Sequence, residues 1–77
     1  MKAINIGVIG CGYWGPNLIR NFVDNDWARL RWICDVDERR VAEMSRRYPF
    51  AQTTNDYKKL VSDAELDAVA VPSPSHL

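Results

Sequence analysis

Apolar positions along this chain alternate between two rhythms. Ala3 to Ile9 reads Ala-Ile-Asn-Ile-Gly-Val-Ile, nearly continuous and rich in β-branched residues. That pattern predicts a strand buried on both faces, as in a parallel sheet. Gly10 to Gly15 interrupts it. Trp14, Leu18 and Phe22 then recur four apart, with Ile19 and Val23 beside them. This spacing predicts an amphipathic helix running to about Asn25. Pro16 sits in its first turn, where a missing N–H costs nothing. Asn25-Asp26 reads as a turn.

Leu30 to Cys34 predicts a second strand, ending at Asp35. Asp37-Glu38 puts negative charge at the start of the next helix, where the macrodipole favours it. Val41, Met44, Ser45 and Tyr48 keep helical spacing, and Pro49 stops the element. Phe50 to Thr53 has room for only a short third strand. Asn55 or Thr54 is placed to cap a third helix, with Tyr57, Leu60, Val61 and Ala64 on one face. Asp67 to Val71 is the fourth strand, closed by Pro72-Ser73-Pro74-Ser75. His76-Leu77 reads as the start of another helix. The order β-α-β-α-β-α-β with short connections implies right-handed crossovers, a parallel sheet and the α/β class.

Composition supports one small globular unit. Of 77 residues, 47% are apolar and 26% charged, which argues against disorder. Ten basic and ten acidic side chains cancel, unlike the net basic surface of a nucleic-acid reader. Arg39-Arg40 and Arg46-Arg47 lie among acids and read as a solvated helix face. No apolar run approaches the roughly 20 residues that span a bilayer. The start shows no signal-peptide pattern, so no membrane partner and a cytoplasmic location are expected. Cys11 and Cys34 form no C-x-x-C pair, which predicts two reduced thiols, one in a loop and one in a strand, and no metal site.

The candidate chemistry lies in Gly10-Cys11-Gly12-Tyr13-Trp14-Gly15. G-x-G-x-x-G is weak alone, but here a strand precedes it, a helix follows and an acid ends the next strand. Gly10 allows the tight turn. Gly12 lets backbone approach a pyrophosphate, and Gly15 lets helix and strand pack closely. The N–H groups around Tyr13 and Trp14 lack helical partners and are placed to donate to phosphate oxygens. Trp14 reads as core on its helical stripe or as a lid over the ligand. The competing reading is an ordinary βα turn. Asp35 is placed to accept both ribose hydroxyls of the adenosine half and to repel a 2′-phosphate, favouring NAD over NADP. It also reads as a turn or capping aspartate, and Arg39 or Arg40 is an alternative receiver of a 2′-phosphate. His76 has no partner that would make it catalytic, and Ser73 and Ser75 have no nearby base. No catalytic residue is expected in this chain. With a dinucleotide site the fold becomes an incomplete Rossmann fold with sheet order 3-2-1-4.

Gly7 to Leu18 (Gly-Val-Ile-Gly-Cys-Gly-Tyr-Trp-Gly-Pro-Asn-Leu) resembles the opening of the Gfo/Idh/MocA oxidoreductase family. Cys34-Asp35-Val36-Asp37-Glu38-Arg39-Arg40 resembles that family's second-strand end, and Asp67 to Pro72 through His76 its fourth strand and following loop. The resemblance implies cofactor contacts at Asp35, Val36 and Arg40, with Pro72, Ser73 and His76 toward the ribose and nicotinamide. Val71 departs from the family by standing where threonine is common. The Trp14 version of the loop resembles members acting on nucleotide sugars. The family's Glu-Lys-Pro segment and its substrate domain have no counterpart in these residues. Residues 1–77 are therefore expected to be the N-terminal part of a dinucleotide-binding Rossmann domain. Its parent would move hydride between a sugar-type or polyol substrate and a nicotinamide, and the isolated chain would be inactive. The alternative is a non-catalytic nucleotide-binding, regulatory or interaction module. The fourth strand lacks its outer neighbour, so Ala68 to Val71 is expected to present an edge through which the chain forms homo-oligomers or swaps strands.

Overall fold

Strand β1 (Ile4–Ile9) is central because its residues are apolar toward both sides. In a computed structural model describing residues 3–10 and 15–72, it pairs in parallel with β2 (Ala28–Cys34) on one edge and β4 (Ala68–Ala70) on the other. Strand β3 (Gln52–Thr54) adds to β2 in parallel, giving the order β3-β2-β1-β4. Helices α1 (Gly15–Val23), α2 (Glu38–Arg47) and α3 (Tyr57–Val61) make the crossovers. The α/β class and the strand order are those expected.

The two faces are filled by different helices. Ile6, Val8, Leu30 and Ile33 pack with Ile19 of α1 and Met44 of α2. Trp32 and Cys34 pack with Leu60 of α3 on the other face, with Ile9 beside them. Leu30 and Ile33 are three apart yet share one face, which strict alternation forbids. The register supplies the reason: Ile6 pairs with Leu30 but Gly7 with Trp32, leaving Arg31 as one extra residue on β2. The slip reverses the alternation for the upper half of the strand.

Leu60 is fully buried, and Gly7 is what it sits on. A Cβ built on Gly7 would meet Leu60 Cδ1 at 3.1 Å and Cγ and Cδ2 at 3.2 Å. A side chain at Gly7 would press on Leu60, which would have to give by a few tenths of an ångström. Burying the leucine stabilises the fold by about 2 kcal/mol.

Several boundaries differ from those expected. Helix α1 stops at Val23, and Asn25 accepts from Trp27 N through Oδ1 at 3.1 Å, forming the expected turn. Strand β2 starts at Ala28, because Ala28 and Arg29 pair with Ile4 and Asn5. Strand β3 starts at Gln52: Ala51 N bonds Tyr48 O at 3.0 Å, closing a turn that leaves Phe50 exposed. Strand β4 covers only Ala68 to Ala70. Helix α3 differs most. Its cap is Asp56, which accepts from Lys58 N, not Asn55 or Thr54. Only Leu60 of the expected apolar face is buried; Tyr57 and Val61 are exposed, and Ala64 lies beyond the helix.

Asp63 explains why α3 ends early. Its carboxylate accepts from Arg31 Nε and from Trp32 Nε1 at 2.7 Å, both on β2. Glu65 N donates to it at 3.0 Å, and Glu65 Oε2 accepts from Arg31 Nη2 at 2.9 Å. Asn5 completes the tie to β4: its N donates to Asp67 Oδ2 at 2.8 Å and its side-chain amide to Glu65 O at 2.8 Å. The Arg31 hydrogen bond, then those of Trp32 and Glu65 N, hold the Asp63 carboxyl well below the usual carboxylate range. Among the described residues no helix is long and apolar enough to cross a membrane.

Two outcomes follow. Gly7→Ala destabilises the protein by about 1 kcal/mol or more through overpacking, and part of that loss disappears when Leu60 is also changed to Ala; denaturant unfolding of the double-mutant cycle measures both. Asp63 contributes stability only while ionised. With its pKa depressed by folding, that contribution is complete above the unfolded value near pH 4 and falls as pH drops below it. The acid limb of Tm against pH is accordingly steeper for the native protein than for Asp63→Asn.

Candidate cofactor site

Parallel strands bring their carboxyl ends to one rim of the sheet, and of the described candidates Gly10, Asp35 and Pro72 follow strand ends there. Ile9 pairs with Cys34, so β1 and β2 finish level. The next hydrogen bond carries the alignment one step further: Gly10 N donates to Cys34 O at 2.8 Å. Gly10 adopts φ +88°, the left-handed region that side-chain-bearing residues avoid. A Cβ there would lie 3.7 Å from Pro72 O, an ordinary contact. The conformation rather than the space therefore calls for glycine, and Pro72 after β4 is its neighbour. Helix α1 opens at Gly15, following Gly10 in the chain.

Asp35 follows β2 directly and is 6% exposed. Its N donates to Thr54 O at 3.2 Å, tying the β2 end to the β3 end. Its Oδ1 accepts from Asp37 N at 2.8 Å. Asp35 is thus a turn aspartate, one of the two readings its position allowed. A carboxylate has about four acceptor positions, so serving the turn does not by itself prevent a ligand contact. The capping role belongs to Asp37, whose Oδ1 accepts from Arg39 N at 2.9 Å. Val36, between the two aspartates, is 89% exposed. Arg40 stands on the first turn of α2 with Nε 3.7 Å from Asp37 Oδ2.

Cys34 is buried in the strand, as expected of one of the two cysteines. Burial, and then the charges of Asp35 and Asp56, push its thiol pKa up. The sulfur is a packed thiol rather than a nucleophile at neutral pH. Gly12, Tyr13, Trp14, Ser73 and His76, with Cys11, lie outside the described residues.

The structure adds Thr54 to the candidates. Besides accepting from Asp35 N, it is buried and its Oγ1 accepts from Asp56 N at 3.0 Å. Asn55 reaches across from the same loop to donate to Glu38 Oε1 at 3.3 Å. The sequence signal was a Thr-x-Asp pattern, which marks a turn before a helix but not which strand end that turn supports. A cavity of about 410 Å³ between α1 and α2, lined by Asn17, Arg20, Arg47 and Tyr48, touches none of the rim residues.

The rim fits a dinucleotide: a left-handed glycine at the end of β1, a helix amino end after it, and a carboxylate at the end of the adjacent strand. The family described as "Oxidoreductase family, NAD-binding Rossmann fold" matches residues 4–77. Inositol 2-dehydrogenase 2 of Saccharopolyspora erythraea is 41% identical over 71 residues, covering 91% of this chain and 21% of that protein. Among solved structures, a probable dehydrogenase from Thermotoga maritima superposes with TM-score 0.84 at 36% identity, covering 94% of this chain and 22% of the other. A scyllo-inositol dehydrogenase from Lactobacillus casei, with bound NAD(H) and scyllo-inositol, gives TM-score 0.82 at 27% identity, covering 96% of this chain and 22% of the other. The chain spans about a fifth of the length of the curated relatives it matches. Motif, rim geometry and likeness agree: this chain belongs to the Gfo/Idh/MocA oxidoreductase family, as NAD-binding Rossmann-fold sequence.

Proposed function

We propose that the rim holds the adenosine and pyrophosphate half of NAD, and that residues 1–77 are the first part of the cofactor domain of a sugar-type or polyol dehydrogenase. The observation that carries this reading is the bond from Gly10 N to Cys34 O, which sets the glycine turn and Asp35 side by side. In the proposed assignment, Gly10, Gly12, Tyr13, Trp14 and Gly15 receive the pyrophosphate. Asp35 accepts from the adenosine ribose hydroxyls, while Val36 and Arg40 flank the adenine side. Pro72, Ser73 and His76 lie toward the nicotinamide ribose. When bound, the nicotinamide supplies the hydride acceptor or donor. These residues bind and orient it, and the proposed catalytic groups belong to a separate substrate domain. The inositol dehydrogenase relatives support a polyol or sugar substrate.

A carboxylate at Asp35 favours two ribose hydroxyls over a 2′-phosphate, so NAD is the proposed cofactor rather than NADP. Asp35→Asn keeps an acceptor for Asp37 N but loses the charge. It weakens NAD binding by about tenfold, the loss of one charge-assisted hydrogen bond, with little change in the unfolding midpoint. Calorimetric titration of NAD into the intact protein measures the effect, and an unchanged affinity would contradict the assignment.

We also infer that, in the 77-residue chain taken alone, the outer edge of β4 is an association surface. Among the described residues β4 pairs only with β1, and Val69 and Val71 are exposed. An unpaired apolar edge is a template for another strand. Sedimentation of the 77-residue chain over rising concentration should show growing association; a constant monomer mass would rule this surface out.

A further inference from the structure

Asp37 carries two tasks that the helix cap alone does not require. One carboxylate oxygen caps α2 by accepting from Arg39 N at 2.9 Å. The other faces Arg40 Nε at 3.7 Å, one helical turn ahead. The backbone N of Asp37 is itself fixed on Asp35 Oδ1 at 2.8 Å. The two aspartates and the arginine therefore form one chain of contacts, anchored at its inner end on a buried carboxylate and open to solvent at its outer end. Side chains of Arg40 and Asp37 are 49% and 47% exposed. A half-exposed pair of this kind adds little to stability. Its effect is to decide where a guanidinium points and what charge surrounds it.

We propose that Asp37 is a specificity-determining residue, holding the Arg40 guanidinium away from the position a 2′-phosphate would occupy and so sharpening the preference for NAD. The inference rests on the reading that Asp35 receives the adenosine ribose. A 2′-phosphate on that ribose would project beside Asp35, toward the first turn of α2. An arginine there is the natural receiver, because its planar fork matches phosphate oxygens in pairs. With Asp37 beside it, the arginine already faces a carboxylate and is held from an arriving phosphate. Discrimination against the 2′-phosphate thus has two layers: repulsion from Asp35, and withdrawal of the arginine by Asp37.

Asp37→Asn separates the tasks. Asparagine caps a helix as well as aspartate does, so the bond from Arg39 N is retained while the hold on Arg40 is lost. The readout is the ratio of NADP to NAD affinity in the intact protein, by calorimetric titration of each dinucleotide. Asp37→Asn should raise that ratio by about three- to tenfold, the range expected when a half-exposed ion pair is removed and its arginine gains a phosphate. In Asp37→Asn with Arg40→Gln, the ratio should return to that of Arg40→Gln alone. A ratio unmoved by Asp37→Asn, with NAD still bound, overturns the proposal and leaves the cofactor reading intact. A gain that persists without Arg40 also overturns it, since the effect would then be loss of repulsion alone. Failure of the native protein to bind either dinucleotide overturns both this proposal and the cofactor reading beneath it.

Discussion

Arg31 is one residue more than β1 can match, and the phase of the upper sheet depends on it. Below the slip, Leu30 faces α1 and α2; above it, Trp32 and Cys34 face α3, and Ile33 returns to the first face. Without the slip, and with every residue kept, Gly7 would pair with Arg31 and Ile9 with Ile33. Cys34 O would then sit one step too high to receive the Gly10 N–H, and Asp35 would ride with it. The extra residue carries its own fastening, because Arg31 and Trp32 both donate to Asp63. The register of the central strand pair and the position of α3 are therefore one constraint, tied off at a carboxylate kept ionised by its donors.

From that register the rim assembles with few additional demands. Gly10 takes the left-handed conformation directly after β1, where a residue with a side chain would be strained. Asp35 is pinned from both sides, its N to Thr54 O and its Oδ1 to Asp37 N. A carboxylate fixed before a ligand arrives loses little further freedom on binding. The nearby cysteine adds packing and no reactivity. Arg40 stands beside this frame with its side chain half exposed, and Asp37 lies within reach of it.

Much of this was legible in the residues, for physical reasons. Three apolar runs and one short strand, separated by helical periods, specify parallel strands, because only a sheet covered on both faces buries such runs. The glycine spacing followed by Asp35 carries meaning through its place after one strand and at the end of the next. The slip at Arg31 was not legible, since Leu30 to Cys34 looks equally apolar in either phase. The early end of α3 was hidden for a related reason. Tyr57, Leu60, Val61 and Ala64 keep helical spacing, but Asp63 is captured by partners some thirty residues earlier in the chain. Gly7 read as an ordinary member of a β-rich run, although Leu60 occupies the space its side chain would need. These are tertiary contacts that no local pattern announces.

In the proposed reading, the level ends of β1 and β2 make an adenosine site. A crystal structure of the intact protein with NAD tests it most directly. The pyrophosphate is expected against the Gly10 turn and the amino end of α1, with the adenosine ribose hydroxyls within hydrogen-bonding distance of Asp35. A dinucleotide seated elsewhere, such as the cavity between α1 and α2, with Asp35 serving only its turn, would contradict it.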